Sequence, residues 1–287
     1  MKTVRVNVYA KLNLTLDVLK REGAFHLIDS LVTSVDLSDH IVVRTRKDHT
    51  VRVTMHGMGS ESIPPEQNIA LRAADAFCEQ VQTAGADITV YKNIPMGAGL
   101  GGSSADAAGV LNALSQAYGI DKREDLETLA ASLGSDVKYM LSGGFQRMSG
   151  RGEVLEKLPV APRLNFLLLL PRSGVSTAAC YQKSDEFPPL PPTTGQAISR
   201  LVAGDLEGAA QSFSNGLYQA AAALNPEVES ALEALKSFSP WGVSMTGSGS
   251  AVFAVFETPE LCAWAKSRYR GKCHAILLKT VEPKEKE

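Results

Sequence analysis

The chain has 287 residues, 44% of them hydrophobic and 21% charged, with a formal net charge of -2. Such a length and composition suit a soluble globular protein of one or two domains with a sizeable buried core. The near-neutral charge, without any long basic run, excludes broad nucleic-acid binding, and the longest dense apolar run, Phe166–Pro171, is far too short for a membrane span.

The amino terminus, "MKTVRVNVYAKLNL", alternates charged and apolar residues instead of building the apolar stretch of a secretion signal. Cys78, Cys180, Cys262 and Cys273 are scattered with no C-x-x-C, so they read as free buried thiols in a cytoplasmic protein. From Val4 to Val18 the alternation is strict. Val4, Val6, Val8, Ala10, Leu12, Leu14, Leu16 and Val18 share one face, and Lys11, Asn13, Thr15 and Asp17 lie on the other. Period two over that length predicts one long, half-buried strand. Further strands are predicted at Ile41–Arg46, Val51–Met55 and Ile88–Tyr91, and helices at Asn68–Val81 and Arg123–Gly134. An apolar strand is predicted at Leu164–Leu170, followed by an extended, exposed connection at Lys183–Gly195, which holds four prolines. The last third reads as two helices, a strand–loop–strand, a helix and a final strand. The fold class is α+β in two lobes, 1–158 and 159–287, joined near residues 155–162.

"PMGAGLGGSSADAAGVLNAL", Pro95–Leu114, contains G-x-G-x-x-G at Gly97, Gly99 and Gly102. A dinucleotide-binding turn follows its strand directly and has a second strand about twenty residues on. Here Asn93 and Pro95 intervene, and the downstream "GIDKREDLETLA" is polar and helical. A P-loop fails as well, since Ser103 stands where its lysine belongs. What remains is a glycine-rich turn running into a helix that Ser103 and Ser104 could cap and Gly119 could end. Gly97, Gly99, Gly101 and Gly102 would let phosphate oxygens approach the backbone and the positive helix end. On the loop alone, a tight turn packed on a sheet remains the other reading.

Three blocks in order carry a family resemblance: "AKLNLTLDV" (Ala10–Val18), the glycine loop, and "GVSMTGSGSAVFAVF" (Gly242–Phe256). They resemble the motifs of the GHMP small-molecule kinases, which include galactokinase, homoserine kinase and mevalonate kinase. "SLGSDVKYMLSGG", "GRGEVLEKLP" and "PRSGVSTAACY" are similar to segments of the diphosphocytidyl branch of that family. The resemblance implies a ribosomal-protein-like α+β first lobe and a ferredoxin-like second lobe. It also implies an ATP- and Mg²⁺-dependent transfer to the 2-hydroxyl of a cytidine diphosphate-linked sugar alcohol, in the methylerythritol phosphate route to isoprenoid precursors. The expected partner is thus a small molecule, with no nucleic acid and no membrane, and the chain is expected to be a monomer or homodimer.

Residue by residue, the resemblance makes Asp136 the base and Lys11 the cation that holds it ionised and stabilises the transferring phosphoryl. Alone, Asp136 reads as a helix N-cap or turn aspartate and Lys11 as a solvated strand lysine. ATP is expected along Pro95, Gly97, Ala98, Gly99, Leu100, Gly101, Gly102, Ser103 and Ser104, with Asn68 by the adenine. No metal motif is present, and Mg²⁺ would be carried by ATP with Ser103 or Ser104 nearby. For the acceptor the resemblance gives Asn13, Phe25 and His26, Tyr181 on the other face of the base, and the Thr246, Gly247, Ser248, Gly249 turn. Phe25 on its own could equally be a core aromatic.

Several positions depart from the family pattern. "GAFH" replaces Asp-Gly-Tyr-His, Val137–Met140 replaces Val-Pro-aromatic-aromatic, and "NGLY" (Asn215–Tyr218) replaces Asn-Asp-Leu-Glu. They bear on the identity of the acceptor more than on phosphoryl transfer. Another small alcohol as acceptor, or a catalytically silent GHMP-fold sensor, are the alternative readings. A structural or RNA-binding protein is disfavoured by the charge.

Overall fold

A computed structural model describes residues 1–23, 25–57, 64, 68–120 and 122–282; Ala24, at the altered "GAFH" turn, lies outside the described residues. The amino-terminal alternation gives β1 (Thr3–Asn13), but the predicted run to Val18 is interrupted before β2 (Asp17–Glu22). The cause is a change of partners. The Leu14 and Thr15 N–H groups both turn to the Leu31 carbonyl, and that of Leu16 donates to Ser214 in the other lobe at 2.9 Å.

The hub of the first sheet is β3 (Phe25–Thr45), a strand of 21 residues. Antiparallel to one edge run β1, from Thr3 opposite Arg44 to Asn13 opposite Val32, and β2. Against the other edge lie β5 (Ala86–Lys92) and β6 (Gln146–Gly150). β4 (Arg52–Gly57) then pairs parallel to β5, and β7 (Val154–Lys157) antiparallel to β6, giving seven strands.

Helix α1 (Ile69–Val81) starts where predicted: the Asn68 side chain caps it by accepting from the Ala70 and Leu71 N–H groups. Helix α2 (Gly102–Tyr118) ends at Gly119 as expected, in a left-handed cap with φ 70°. Its start differs from expectation, because Gly101 is the N-cap and Ser103 and Ser104 lie inside the first turn. The helix is also buried nearly all round, from Ala105 to Leu114, between the sheet and its neighbours α1 and α4. α3 (Arg123–Leu133) matches its prediction, whereas α4 (Ser135–Ser142) was not foreseen.

Between Lys157 and Asn165 the chain passes to a second sheet of β8 (Asn165–Leu170), β9 (Gly242–Met245), β10 (Val252–Phe256) and β11 (His274–Lys279). Its order β11-β8-β10-β9, all antiparallel, places the chain-order strands as fourth, first, third, second, the ferredoxin-like arrangement. One crossover holds five helices: α5 (Thr177–Ser184), α6 (Thr194–Val202), α7 (Leu206–Gln211), α8 (Tyr218–Leu224) and α9 (Pro226–Lys236). That is more than the two predicted, because α5, α7 and α8 are too short to show a period. The other crossover is α10 (Pro259–Arg268). Cys180 and Cys262 are buried and Cys78 and Cys273 half-buried, all as free thiols. Among the described residues no helix is long and apolar enough to cross a membrane.

A threonine hydroxyl and backbone groups dock the two glycine segments on each other. The Thr246 hydroxyl accepts from Asn13 N–H at 3.0 Å and donates to the Gly99 carbonyl at 3.2 Å. Ala251 N–H reaches the Ala98 carbonyl at 3.3 Å. Gly99 has φ 77°, and a Cβ there would lie 2.1 Å from the Thr246 carbonyl oxygen, so only glycine permits this approach.

Beneath the loop lies a buried cluster of charge. Lys92 donates to both Asp39 and Asp106, the latter at 2.6 Å, and Asp39 also accepts from Ile94 N–H at 2.7 Å. The second Asp106 oxygen is buried with no partner. Burial pushes the Asp106 carboxyl up to about 8, against the opposing pull of the Lys92 ammonium.

Two outcomes are expected. Gly99→Ala should lower stability by ~2 kcal/mol or more through clash and backbone strain, read as a lower urea midpoint. Asp106 keeps its proton in the folded chain at pH values where the unfolded chain has lost it, so this group makes stability fall as pH rises towards about 8. Asp106→Asn should flatten that fall, whose slope is at most about 1.4 kcal/mol per pH unit, in urea melts compared at mildly acid and mildly alkaline pH.

Candidate active site

A cavity of about 500 Å³ opens between the lobes, walled by the end of β1, the glycine loop, the start of α4 and the turn after β9. Strand β1 delivers Lys11 and Asn13 into it. Both sit on the face that alternation marks as polar, but the second lobe covers that face, so Lys11 is only 4% exposed and Asn13 equally buried. Lys11 is therefore no solvated strand lysine. Its ammonium stands 3.7 Å from Asp136 Oδ2 and donates to Asn13 Oδ1. Asn13 is in turn fixed by donating to the Ser30 hydroxyl at 2.8 Å. Thr15, on the same strand face, does not line the cavity but is wholly buried, hydrogen-bonded to Leu31 N–H and Thr194.

Asp136 is the second residue of α4, whose N-cap is Gly134, and no side chain caps that helix. Its carboxylate thus serves no capping role, and with its side chain 34% exposed it faces the cavity. The next turn of α4 is anchored by Tyr139, wholly buried, which meets the Ser34 hydroxyl and donates to the Gly144 carbonyl at 2.8 Å. Burial pushes this phenol far above its ordinary range.

The loop Pro95–Ser104 forms the opposite wall. Lys11 N–H donates to the Leu100 carbonyl at 3.0 Å, which ties the loop to the strand that carries the lysine. A Cβ on Gly101, at φ 71°, would lie 2.3 Å from Met140 and 3.1 Å from the Lys11 stem. With no side-chain cap on α2, the first-turn N–H groups of Gly102, Ser103 and Ser104 have no intrahelical partner, and these three residues line the cavity. Two helix amino termini, of α2 and α4, therefore open onto one space, a setting that favours phosphate oxygens.

Gly247, Ser248 and Gly249 complete this wall, while Thr246 lies buried behind it. Asn215 holds the turn by donating to the Met245 and Gly247 carbonyls at 2.8 and 2.9 Å. The Ser248 hydroxyl meets Thr177, near the start of α5, at 2.8 Å.

At the far end Tyr181 lines the cavity and His26 stacks on it, with ring centroids 5.4 Å apart. His26 Nε2 meets Asp185 at 2.7 Å. Burial pushes the Tyr181 phenol up to about 12. Phe25 is 54% exposed and so no core aromatic. Its ring stacks on neither His26 nor Tyr181; the Arg151 guanidinium lies 4.6 Å over it. Asn68 caps α1 and does not line the cavity. Arg151 was missed by sequence reading, since a single arginine between glycines in "GRGE" carries no periodic signal.

Among the described residues no group of three His, Cys, Asp or Glu side chains could hold a metal. The hard oxygen donors at the cavity, the Ser103 and Ser104 hydroxyls and the Asp136 carboxylate, fit a magnesium ion that keeps most of its ligands from phosphate and water.

Comparison with known proteins agrees with this architecture. Residues 68–148 match the GHMP kinases N terminal domain and residues 197–266 the GHMP kinases C terminal domain. A 4-diphosphocytidyl-2-C-methyl-D-erythritol kinase of Caldanaerobacter subterraneus is 36% identical over 274 residues, 93% of each chain. That of Desulfitobacterium hafniense is 37% identical over 268 residues, 90% of this chain and 88% of the relative. A crystal structure of 4-(cytidine 5'-diphospho)-2C-methyl-D-erythritol kinase superposes with a TM-score of 0.77 at 31% identity, covering 96% of this chain and 99% of that one. With both GHMP domains in order and relatives of this identity over nearly the whole length, the chain belongs to the GHMP kinase family, among the 4-diphosphocytidyl-2-C-methyl-D-erythritol kinases.

Proposed function

We propose that this chain transfers the γ-phosphoryl group of ATP to the 2-hydroxyl of 4-diphosphocytidyl-2-C-methyl-D-erythritol. The observation that carries the reading is the Lys11–Asp136 pair, 3.7 Å apart, at a cavity onto which two helix amino termini open. A kinase with this acceptor needs a base for the hydroxyl proton, charge stabilisation for the moving phosphoryl and a cradle for the triphosphate. Asp136 Oδ2 takes the proton as the acceptor oxygen attacks. Lys11 balances the charge that spreads over the phosphoryl oxygens, and its bond to Asn13 holds the ammonium in place. The Pro95–Ser104 loop and the start of α2 bind the triphosphate through backbone N–H groups.

Mg²⁺, held by the triphosphate with Ser103, Ser104 or Asp136 close by, supplies further neutralisation of phosphate charge when bound. His26 and Tyr181 read the cytosine end, with Phe25 beside them, and the Gly247–Gly249 turn closes over the acceptor alcohol. Residues 1–158 and 159–287 form the two lobes that meet across this cleft. The site chemistry calls for two soluble small-molecule substrates.

The test is ADP release with Mg²⁺-ATP and diphosphocytidyl-methylerythritol beside homoserine, mevalonate and galactose. Turnover with the cytidine compound alone is expected, and turnover only with another alcohol would overturn the acceptor. Asp136→Asn should lower kcat by ~10²–10⁴-fold while the unfolding midpoint and ATP affinity stay near those of the parent. A variant that unfolds, or turns over at the parent rate, would make Asp136 a structural residue.

A further inference from the structure

Arg151 is the cavity's one positive side chain, among its described lining residues, besides Lys11. Lys11 is already committed to Asp136 and Asn13. Arg151 occupies the tight turn between β6 and β7, flanked by Gly150 and Gly152 at φ 71° and 106°. A Cβ on Gly152 would lie 3.2 Å from Ser135, so the turn packs directly on the first residue of α4, next to Asp136. On its other side the guanidinium lies over Phe25, whose neighbour His26 stacks on Tyr181. Among the described residues no carboxylate pairs with the guanidinium, and the Glu153 carboxylate of the same turn accepts instead from the Arg151 backbone N–H.

Arg151 thus links the aromatic end of the site to the reacting end. In the acceptor the groups follow a matching order: base and ribose, then a diphosphate, then the alcohol to be phosphorylated. We infer that Arg151 is a specificity-determining residue that binds the acceptor's diphosphate, its planar fork held in place by the Phe25 ring. This rests on the acceptor named above. A guanidinium presents paired donors that fit phosphate oxygens, and an aromatic face holds it without consuming those donors. A lysine in the same turn would offer charge without the fork. The interaction acts on binding of the acceptor, not on the bond being made, so its removal should appear in KM for that substrate more than in kcat.

The experiment compares the parent with Arg151→Ala and Arg151→Lys in two assays. In steady-state kinetics the alanine variant should raise KM for the acceptor ~10–100-fold, the loss that follows from one charge-assisted phosphate contact, with KM for ATP within about twofold. The lysine variant should fall between. In calorimetric titration the parent should bind CDP more tightly than cytidine, and the alanine variant should lose that preference while its cytidine affinity is kept. An unchanged acceptor KM, or an unchanged CDP preference, overturns the role of Arg151. If the parent has no turnover with the acceptor but Arg151→Ala still loses the CDP preference, the acceptor is wrong and the diphosphate contact stands. If the parent shows no CDP preference at all, both fall. Because Arg151 is exposed, matched thermal melts are expected to show that all three proteins are folded.

Discussion

One buried hydroxyl joins the three segments that wall the candidate site. Thr246, fully inaccessible, takes a hydrogen bond from the backbone of Asn13 and gives one to the backbone of Gly99. Three chain segments, distant in sequence, thereby meet at one side-chain hydroxyl that bridges two main-chain groups, and their approach is closer than any side chain at Gly99 would allow. Buried, hydrogen-bonded contacts of this kind are stiff, and the placement of reacting groups to within a fraction of an ångström is what phosphoryl transfer demands. Lys11 inherits this stiffness twice. Its own N–H is bonded to the loop, and its stem packs where Gly101 leaves room.

The same contact explains why a polar strand face is buried. In an isolated sheet Lys11, Asn13, Thr15 and Asp17 would face water, and their alternation with leucines and valines says so. The second lobe covers them, and each finds a partner: Asp136, Ser30, Thr194 and the N–H groups at the start of α6. Asp17 accepts from Thr193 and Thr194 at 2.9–3.0 Å, so a β2 carboxylate caps a helix of the other lobe. Burying a row of polar groups is costly unless all are bonded, and this row is bonded throughout.

Much of this was legible in the chain. The glycine loop, the extent of α1, the end of α2 at Gly119 and the apolar β8 each follow from local chemistry, whereas Asn68, expected by the adenine, serves as the cap of α1. The long β3 did not, because six successive residues, Ser30–Val35, are buried on both faces, and three of them carry hydroxyls. A run covered on two sides loses its alternation. Helices of eight residues or fewer, such as α4 and α8, show too little period to find. Lys11 and Asp136 could be named from the motifs, but their meeting depends on packing that only the folded chain displays. Arg151 offered nothing beyond its neighbours, for its position depends on a turn docking against α4.

Strand β8, Asn-Phe-Leu-Leu-Leu-Leu, lies inside its sheet with β10 on one side and β11 on the other. Both partners follow it by more than eighty residues in the chain. As the polypeptide leaves the ribosome, an apolar strand with two open edges must therefore wait for its neighbours to be made. Such a segment invites pairing with other nascent chains. It is bracketed by Pro162–Arg163 on one side and Pro171–Arg172 on the other. Proline cannot extend a growing ladder and arginine repels its own kind, so these two pairs guard the strand during synthesis.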